Sequence, residues 1–373
     1  GHDVGDKLLQ AVSVRLSDVV RADDTVARLG GDEFAILVKG DRAEEIAHRL
    51  LVALATPFAI DGHRISIGAS VGIAAASGTT PDELLRNADV AMYRAKADGK
   101  GTYAVFEPGM EDESNERLQL QMELADALAE RQFRLLYQPI FELATGRLTG
   151  VEALLRWDHP VHGTLAPDRF IPTAEETGLI VGIGKWVLDE ACAQAASWPD
   201  DVDIAVNLSA RQLESDAIVD HVAGALAMTG LRPDRLVLEI TETMLSRDLD
   251  ATAAYLNRLT DLGVRIAIDD FGTGYSSLSS LSRFPVHVLK IDRSFIAVML
   301  SSPESSALVH VLVEMGRAMH LQVVAEGIED AEQAAALRGE LCDQGQGFYF
   351  SRPVNAIAIG ALLIERYDVG APA

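Results

Sequence analysis

The sequence predicts an α/β protein: a TIM-like (β/α) barrel preceded by a smaller α/β domain. Three observations predict it. From Arg134 onward, about eight short β-rich runs alternate with six or more helical ones over ~240 residues, the rhythm of a strand–helix barrel. Polar or acidic residues recur inside these runs or at their C-terminal ends, where barrel sites are built. No glycine-rich G-x-G-x-x-G follows the first strands, which counts against a dinucleotide fold and leaves a doubly wound open sheet as the alternative.

Taken in order, Leu8, Leu9, Val12 and Leu16 have helical spacing within Asp3–Val20. Val26–Val38 reads as a hairpin with Gly30-Gly31-Asp32-Glu33 at its turn. Ala43–Ala55 is a helix ended by Pro57, and Ile65–Ala76 a strand interrupted by Gly68 and Gly72. Pro81–Ala97 is an amphipathic helix stopped by Asp98-Gly99-Lys100-Gly101, and Thr102–Phe106 a short strand. This small domain spans 1–107. Residues 108–130 read as an acidic linker that becomes a helix over Arg117–Ala129, and 131–373 as the second domain. Its strand candidates are Leu135–Ile140, Leu148–Leu155, Ile204–Leu208, Leu236–Ile240, Val264–Ile268, Val288–Ile291, Val323–Ala325 and Gly347–Phe350. Its helices are Ile180–Ala196, Ala210–Met228, Leu249–Leu262, Glu304–Met319, Ala331–Leu337 and Ile357–Arg366.

Composition narrows the function. The 373 residues are 48% hydrophobic and 24% charged, enough to bury sizeable cores. A formal net charge of −24 repels a phosphate-coated duplex, so extended nucleic-acid binding is not expected. A small anionic ligand remains compatible if metal ions sit between it and the protein. Cys192 and Cys342 read as buried thiols in a reducing, cytoplasmic compartment. No apolar run approaches the ~18 residues that span a bilayer. The chain opens on Gly1 rather than Met, which leaves room for a preceding membrane tether or sensor.

The chemistry lies in the strand ends. Glu152 lies in VEALLRW, Asn207 ends IAVNLS, Glu239 sits in LVLEITE, Asp269 and Asp270 end IAIDD, Lys290 and Asp292 flank Ile291, and Glu326 ends VVAEG. Asn207 and Asp270 also fit the bland roles of cap or turn former. Glu239 does not, because Leu236, Val237, Leu238 and Ile240 surround it, and a lone buried carboxylate costs several kcal/mol. Glu152 and Glu326 raise the same difficulty. Lys290 alone cannot offset four or five acids, so divalent cations are the economical answer, and all-oxygen ligands favour Mg²⁺, Mn²⁺ or Ca²⁺. Adjacent Asp269 and Asp270 suit a pair of metals, provided the chain turns directly after Asp269. His159 and His162, in a Pro/Gly-bearing loop, read as structural.

These residues resemble the EAL family of cyclic di-GMP phosphodiesterases. YQPI, EALLRW, NLS, LEITE, DDFGTGYSSL, LKID, AEGIE and QGFYFSRP appear in order between Arg117 and about Arg366. The resemblance implies metal-dependent hydrolysis of cyclic di-GMP to linear pGpG, with Mg²⁺ or Mn²⁺ active and Ca²⁺ inhibitory. Glu152, Asn207, Glu239, Asp269 and Asp270 would be the metal ligands. Lys290 would hold the nucleophilic water or a phosphate oxygen, and Glu326 would be a general base or a further acid of the metal shell. Gln138, Arg156, Asp292 and Gln346 would bind substrate, with Arg156 on a phosphate. Glu242 would brace the DDFGTG loop. A receptor that binds cyclic di-GMP with weak or no turnover is the alternative, and family members often dimerise through the barrel.

The first domain is similar to the GGDEF domain of diguanylate cyclases, through GHDVGDKLL, GGDEF and AMYRAK. The resemblance implies a GTP site with Gly31 near the nucleotide, Asp32 and Glu33 at the acidic end of the motif, and Lys96 on phosphate. Arg21 and Asp24, five or more residues ahead of the hairpin glycines, match the family's inhibitory product site. The family's first strand and helix, which supply a metal-binding Asp and the guanine-reading Asn and Asp, precede GHDVGD and are not in this sequence. A regulatory domain inactive as a cyclase in this form is therefore expected.

Overall fold

The computed structural model describes residues 2–76, 78–97, 101–246, 249–273 and 283–369. The helix stop at 98–100, and Gly274 and Tyr275 of the motif that follows Asp270, lie outside them. The chain divides into two compact units, Gly1–Leu120 and Gln121–Ala373.

In the first unit, helix His2–Val19 is followed by the antiparallel pair β1 (Thr25–Gly30) and β2 (Glu33–Leu37), then helix Ala43–Ala55. A second antiparallel pair, β3 (Phe58–Ile60) and β4 (His63–Ile65), precedes β5 (Val71–Ile73), helix Pro81–Ala97 and β6 (Tyr103–Val105), which lies parallel to β5. Apolar residues one helical turn apart, Val12 and Leu16 on one helix and Ile46, Leu50 and Leu54 on the next, meet Phe58 and Ile60 in one core. Gly72 explains why Ile65–Ala76 is not one long strand of ordinary residues. A Cβ there would lie 1.9 Å from the Ala88 carbonyl, so helix Pro81–Ala97 presses on bare backbone. Observed pairing covers only β4 and β5 of that stretch, and the described strands form three separate two-stranded sheets. Helix Met110–Ala127 begins earlier than the sequence suggests. Pro108-Gly109, a breaker pair, directly precedes its first residue.

In the second unit, β7 (Phe133–Glu142), β8 (Leu148–His159), β10 (Asp203–Asn207), β11 (Leu236–Thr241), β12 (Arg265–Phe271), β13 (Val288–Ile291), β14 (Gln322–Ala325) and β15 (Gln344–Gly345) close into a barrel through the β8–β10 and β15–β7 pairings. Strand β9 (Gly163–Leu165) extends the upper end of β8. Two expectations need correction. Strand β7 runs antiparallel to both neighbours and enters β8 through a hairpin, so the barrel is not wholly parallel. The eighth strand lies at Gln344–Gly345, while 347–350 is a turn whose Phe350 and Ser351 N–H groups bond the Gly347 carbonyl. A Cβ on Gly347 would sit 2.1 Å from the Ile328 carbonyl oxygen, and this close backbone approach replaces strand pairing there. Because a hairpin joins β7 to β8, no helix crosses over that step. A groove of about 770 Å³ lies on the outer wall, lined by Phe133, Leu135, Tyr137, Trp186 and their neighbours. Helices Pro167–Thr177 and Arg293–Val298 were not legible from periodicity.

The barrel interior is layered. Ile140, Ala205, Val237, Ala267, Val288 and Val324 form an apolar layer. Among the strand beginnings, Arg265 donates to Asp203 at 2.6 Å and to Gln322 at 2.5 Å. The opposite end carries the acids.

Candidate active site at the barrel mouth

Strand alternation builds the site. Val237 and Val288 belong to the apolar layer, so the inward residues two positions further on are Glu239 and Lys290. Register sets Glu152 beside Ala205, Asn207 beside Glu239, and Thr241 beside Asp269. Six strand ends thus deliver polar groups to one place. Lys290 Nζ lies 2.7 Å from Glu326, 2.8 Å from Glu239, 3.2 Å from Asp269 and 3.6 Å from Glu152. The Lys290 and Glu239 side chains are 1% exposed, whereas Asp269 and Glu326 reach 13% and 18%, so the acids form a floor and a rim.

One ammonium among four carboxylates leaves excess negative charge in a buried place. Burial alone would lower the Lys290 pKa, but the surrounding carboxylates outweigh it and hold the group well above its ordinary value. Burial raises Glu239 far above the usual carboxylate range; Lys290 opposes this, and the charges of Glu152, Asp269 and Glu326 add to it. Burial likewise pushes Glu326 up to about 8. Asp270 rises to about 6 through burial and the charges of Asp269 and Asp292. Glu152 goes the other way: the charge of Lys290 and hydrogen bonds from Gln346 and Asn207 overcome its burial and lower it.

This donor set fits divalent cations. Oxygens of Asp269, Asp270 and Glu326 lie within 4.8 Å of one another. Glu239 Oε2 is buried without a hydrogen-bond partner, a polar oxygen the fold leaves for a cation to fill. Hard oxygen donors and surplus charge are what Mg²⁺ or Mn²⁺ requires.

The adjacent aspartates reach one site through a bulge. The β12–β13 register shifts between Ile268 and Phe271, and Asp270 adopts φ +54°, a conformation that Asp tolerates better than most residues. The turn therefore occurs at Asp270 itself, within β12. Just beyond it, Glu242 accepts the Gly272 N–H at 2.9 Å. Glu242→Ala is expected to lower turnover about tenfold or more through misplacement of Asp270, with the melting temperature shifting only a few degrees. Initial rates and a thermal melt check this.

The remaining barrel residues are placed as follows. Asn207 donates to Glu152 Oε1 at 2.7 Å, and Gln346 Nε2 donates to Glu152 Oε2 at 2.7 Å and to Gln138 at 3.0 Å. Gln138 in turn donates to the Ser351 carbonyl, a partner with no side-chain signature in the sequence. Asp292 caps helix Arg293–Val298 by accepting from Ser294 N–H and hydroxyl. Arg156 stands further up β8, outside the acid cluster. His159 is structural: it bonds Glu123 at 2.7 Å and accepts the Val161 and His162 N–H groups. Cys192 and Cys342 are free and buried, and burial pushes both thiols up to about 12.

In the first unit, Gly31 (φ +49°), Asp32 and Glu33 are exposed at the β1–β2 turn, where Arg28 donates to the Gly31 carbonyl. Lys96 is exposed on helix Pro81–Ala97. Asp24 accepts the backbone N–H of Arg21 at 3.0 Å and of Lys39 at 3.1 Å, and these bonds lower its pKa. Its carboxylate thus ties the start of β1 to the end of β2, while the Arg21 side chain is exposed. No helix of the described residues is long and apolar enough to cross a membrane.

The model of the EAL domain matches residues 121–353, and that of the diguanylate cyclase GGDEF domain matches residues 1–102. The bifunctional diguanylate cyclase/cyclic di-GMP phosphodiesterase MucR of Pseudomonas aeruginosa is 47% identical over 95% of this chain and 53% of its own length. The cyclic di-GMP phosphodiesterase NbdA of the same organism is 41% identical over 100% of this chain and 49% of its own. The chain therefore spans about half the length of these relatives. A solved structure described as the PaMucR phosphodiesterase in complex with c-di-GMP superposes with a TM-score of 0.63 at 48% identity, covering 65% of this chain and 99% of that one.

Proposed function

Because the chain belongs to the EAL-domain family and carries a GGDEF domain ahead of its barrel, we propose that it hydrolyses cyclic di-GMP to linear pGpG. The observation that carries this reading is the cluster of Glu152, Glu239, Asp269 and Glu326 around Lys290, whose oxygen donors and surplus charge suit a metal-assisted phosphodiesterase. Glu152, Asn207, Glu239, Asp269 and Asp270 are the proposed ligands. Bound there, Mg²⁺ or Mn²⁺ would neutralise the carboxylates and the phosphate and render a water molecule nucleophilic at neutral pH.

The chain's own groups do the rest. Lys290, held by its four carboxylates, is positioned to orient the attacking water or a non-bridging phosphate oxygen. Glu326, at the rim, is the candidate to take the proton of that water. Water attacks phosphorus, the bond to the 3′ oxygen breaks, and that oxygen leaves as an alcohol with the proton Glu326 took from the water. The product keeps a 5′-phosphate. Gln138, Gln346, Arg156 and Asp292 are the proposed substrate contacts, and the Glu242–Gly272 bond keeps Asp270 in place.

The proposed division is a regulatory GGDEF domain in 1–107, responsive to GTP, a connecting segment in 108–130, and the hydrolase in 131–373, acting as a homodimer. Incubating the chain with cyclic di-GMP and Mn²⁺ and looking for pGpG tests the activity. Tight binding without product would replace the enzyme with a receptor. Ca²⁺ is expected to support binding yet reduce turnover at least about tenfold, since its looser coordination activates water poorly. Equal rates in Ca²⁺ and Mg²⁺ would contradict this.

A further inference from the structure

Above the acids, the β7–β8 wall carries a ladder of side chains. Antiparallel register sets Gln138 opposite Glu152, Leu136 opposite Leu154, and Arg134 opposite Arg156. The alternate residues Phe133, Leu135, Tyr137, Leu155 and Trp157 are buried, so the ladder faces the other way, in line with the barrel interior. Four residues along a strand put the arginine step about 13 Å from the Gln138–Glu152 step.

Like charges directly opposite one another weaken a ladder. Here only one of them is in a direct ion pair among the described residues. Arg134 Nε lies 2.7 Å from Asp158, and Arg134 also donates to Thr164 at 3.2 Å. Thr164 donates to Asp158 at 2.7 Å from its place opposite it on β9. Arg156 donates to the Leu155 carbonyl, and among the described residues no ion pair joins it to a carboxylate. Burial and the charge of Arg134 both lower its pKa. The wall therefore presents one guanidinium in no direct ion pair among the described residues, with Glu152 and Asp168 acting on it only at a distance, and, beside it, a second held by a carboxylate at the open rim.

We propose that Arg134 is a substrate-positioning residue that, with Arg156, holds the phosphate of the cyclic dinucleotide that is not hydrolysed. The proposal rests on the phosphodiesterase reading of the same mouth. A cyclic dinucleotide has two phosphodiesters. With one at the acid floor, the other lies across the apolar Leu136–Leu154 step from it. Its two non-bridging oxygens can each take one guanidinium. Asp158 makes the arginine pair tolerable without ligand and competes with the phosphate when ligand arrives.

The test compares Arg134→Gln, Arg134→Lys and Asp158→Asn in the full chain. Arg134→Gln should raise KM for cyclic di-GMP about fivefold with kcat within about twofold, and weaken its salt dependence. Arg134→Lys should recover part of the loss, and Asp158→Asn should lower KM. The Arg134–Asp158 pair is an exposed ion pair, so a purely structural role would leave KM unchanged in all three. That result overturns the proposal. Calorimetric titration of cyclic di-GMP into the same proteins separates the two readings. If wild type binds without turnover, the hydrolase reading fails, and a fivefold weaker Kd in Arg134→Gln still supports the clamp. An unchanged Kd overturns it. Absence of wild-type binding overturns both.

Discussion

Glu152→Ala should lower cyclic di-GMP turnover at least about a thousandfold, the scale of losing a group that organises charge at a reacting phosphate. Glu152 is where three supports meet: Asn207 on one oxygen, Gln346 on the other, and Lys290 at 3.6 Å. Its removal deletes a proposed metal ligand and releases Asn207 and Gln346 from their set positions. Gln346 keeps its bond to Gln138 and Asn207 is exposed to water, so little is lost from unpaired donors, and one carboxylate fewer repels the rest. The fold should therefore survive the loss of activity. Rates of pGpG formation beside a circular-dichroism melt separate the two. A near-normal rate would count against the two-metal reading.

Lys290→Met should have the largest effect on stability, about 3–5 kcal/mol at pH 8 in metal-free protein. The substitution keeps volume and removes the only cation within reach of Glu152, Glu239, Asp269 and Glu326 among the described residues. The pH dependence has a definite sign. Glu326 in the folded protein is raised to about 8, above its ordinary value, so the folded state holds protons that the unfolded chain has released. Stability must then fall as pH rises from the ordinary carboxylate range to about 8. Without Lys290 the carboxylates rise further, so the penalty is small near pH 5 and large at pH 8. A divalent cation, which binds the folded state, should restore part of it. Denaturant unfolding at both pH values, with and without Mg²⁺, checks this. Equal destabilisation at pH 5 and pH 8 would mean that Lys290 acts through packing rather than charge.

Some of this was legible locally. Helices Ala43–Ala55 and Pro81–Ala97 follow from apolar spacing and their flanking breakers. Glu239 announced itself because Leu236–Ile240 has to be buried and a carboxylate there needs a partner. The recurrence of acids at strand ends pointed to one shared mouth, since strand ends in a barrel converge. The short Ile140–Leu148 interval also left no room for a crossover helix, a signal that alone could have revealed the reversed first strand.

What the sequence by itself determined was most of the inventory: seven of the eight barrel strands, which of them carry acids, and that buried carboxylates there need positive charge beside them. Only the tertiary structure decided the pairings. That Lys290 touches four carboxylates, that Asp270 enters a left-handed bulge and that Arg134 faces Arg156 all depend on register between segments brought together by the fold. The physical reason is that periodicity reports which face of an element is buried, whereas register follows from closing the barrel. One residue of slip would move every one of these side chains to the other face.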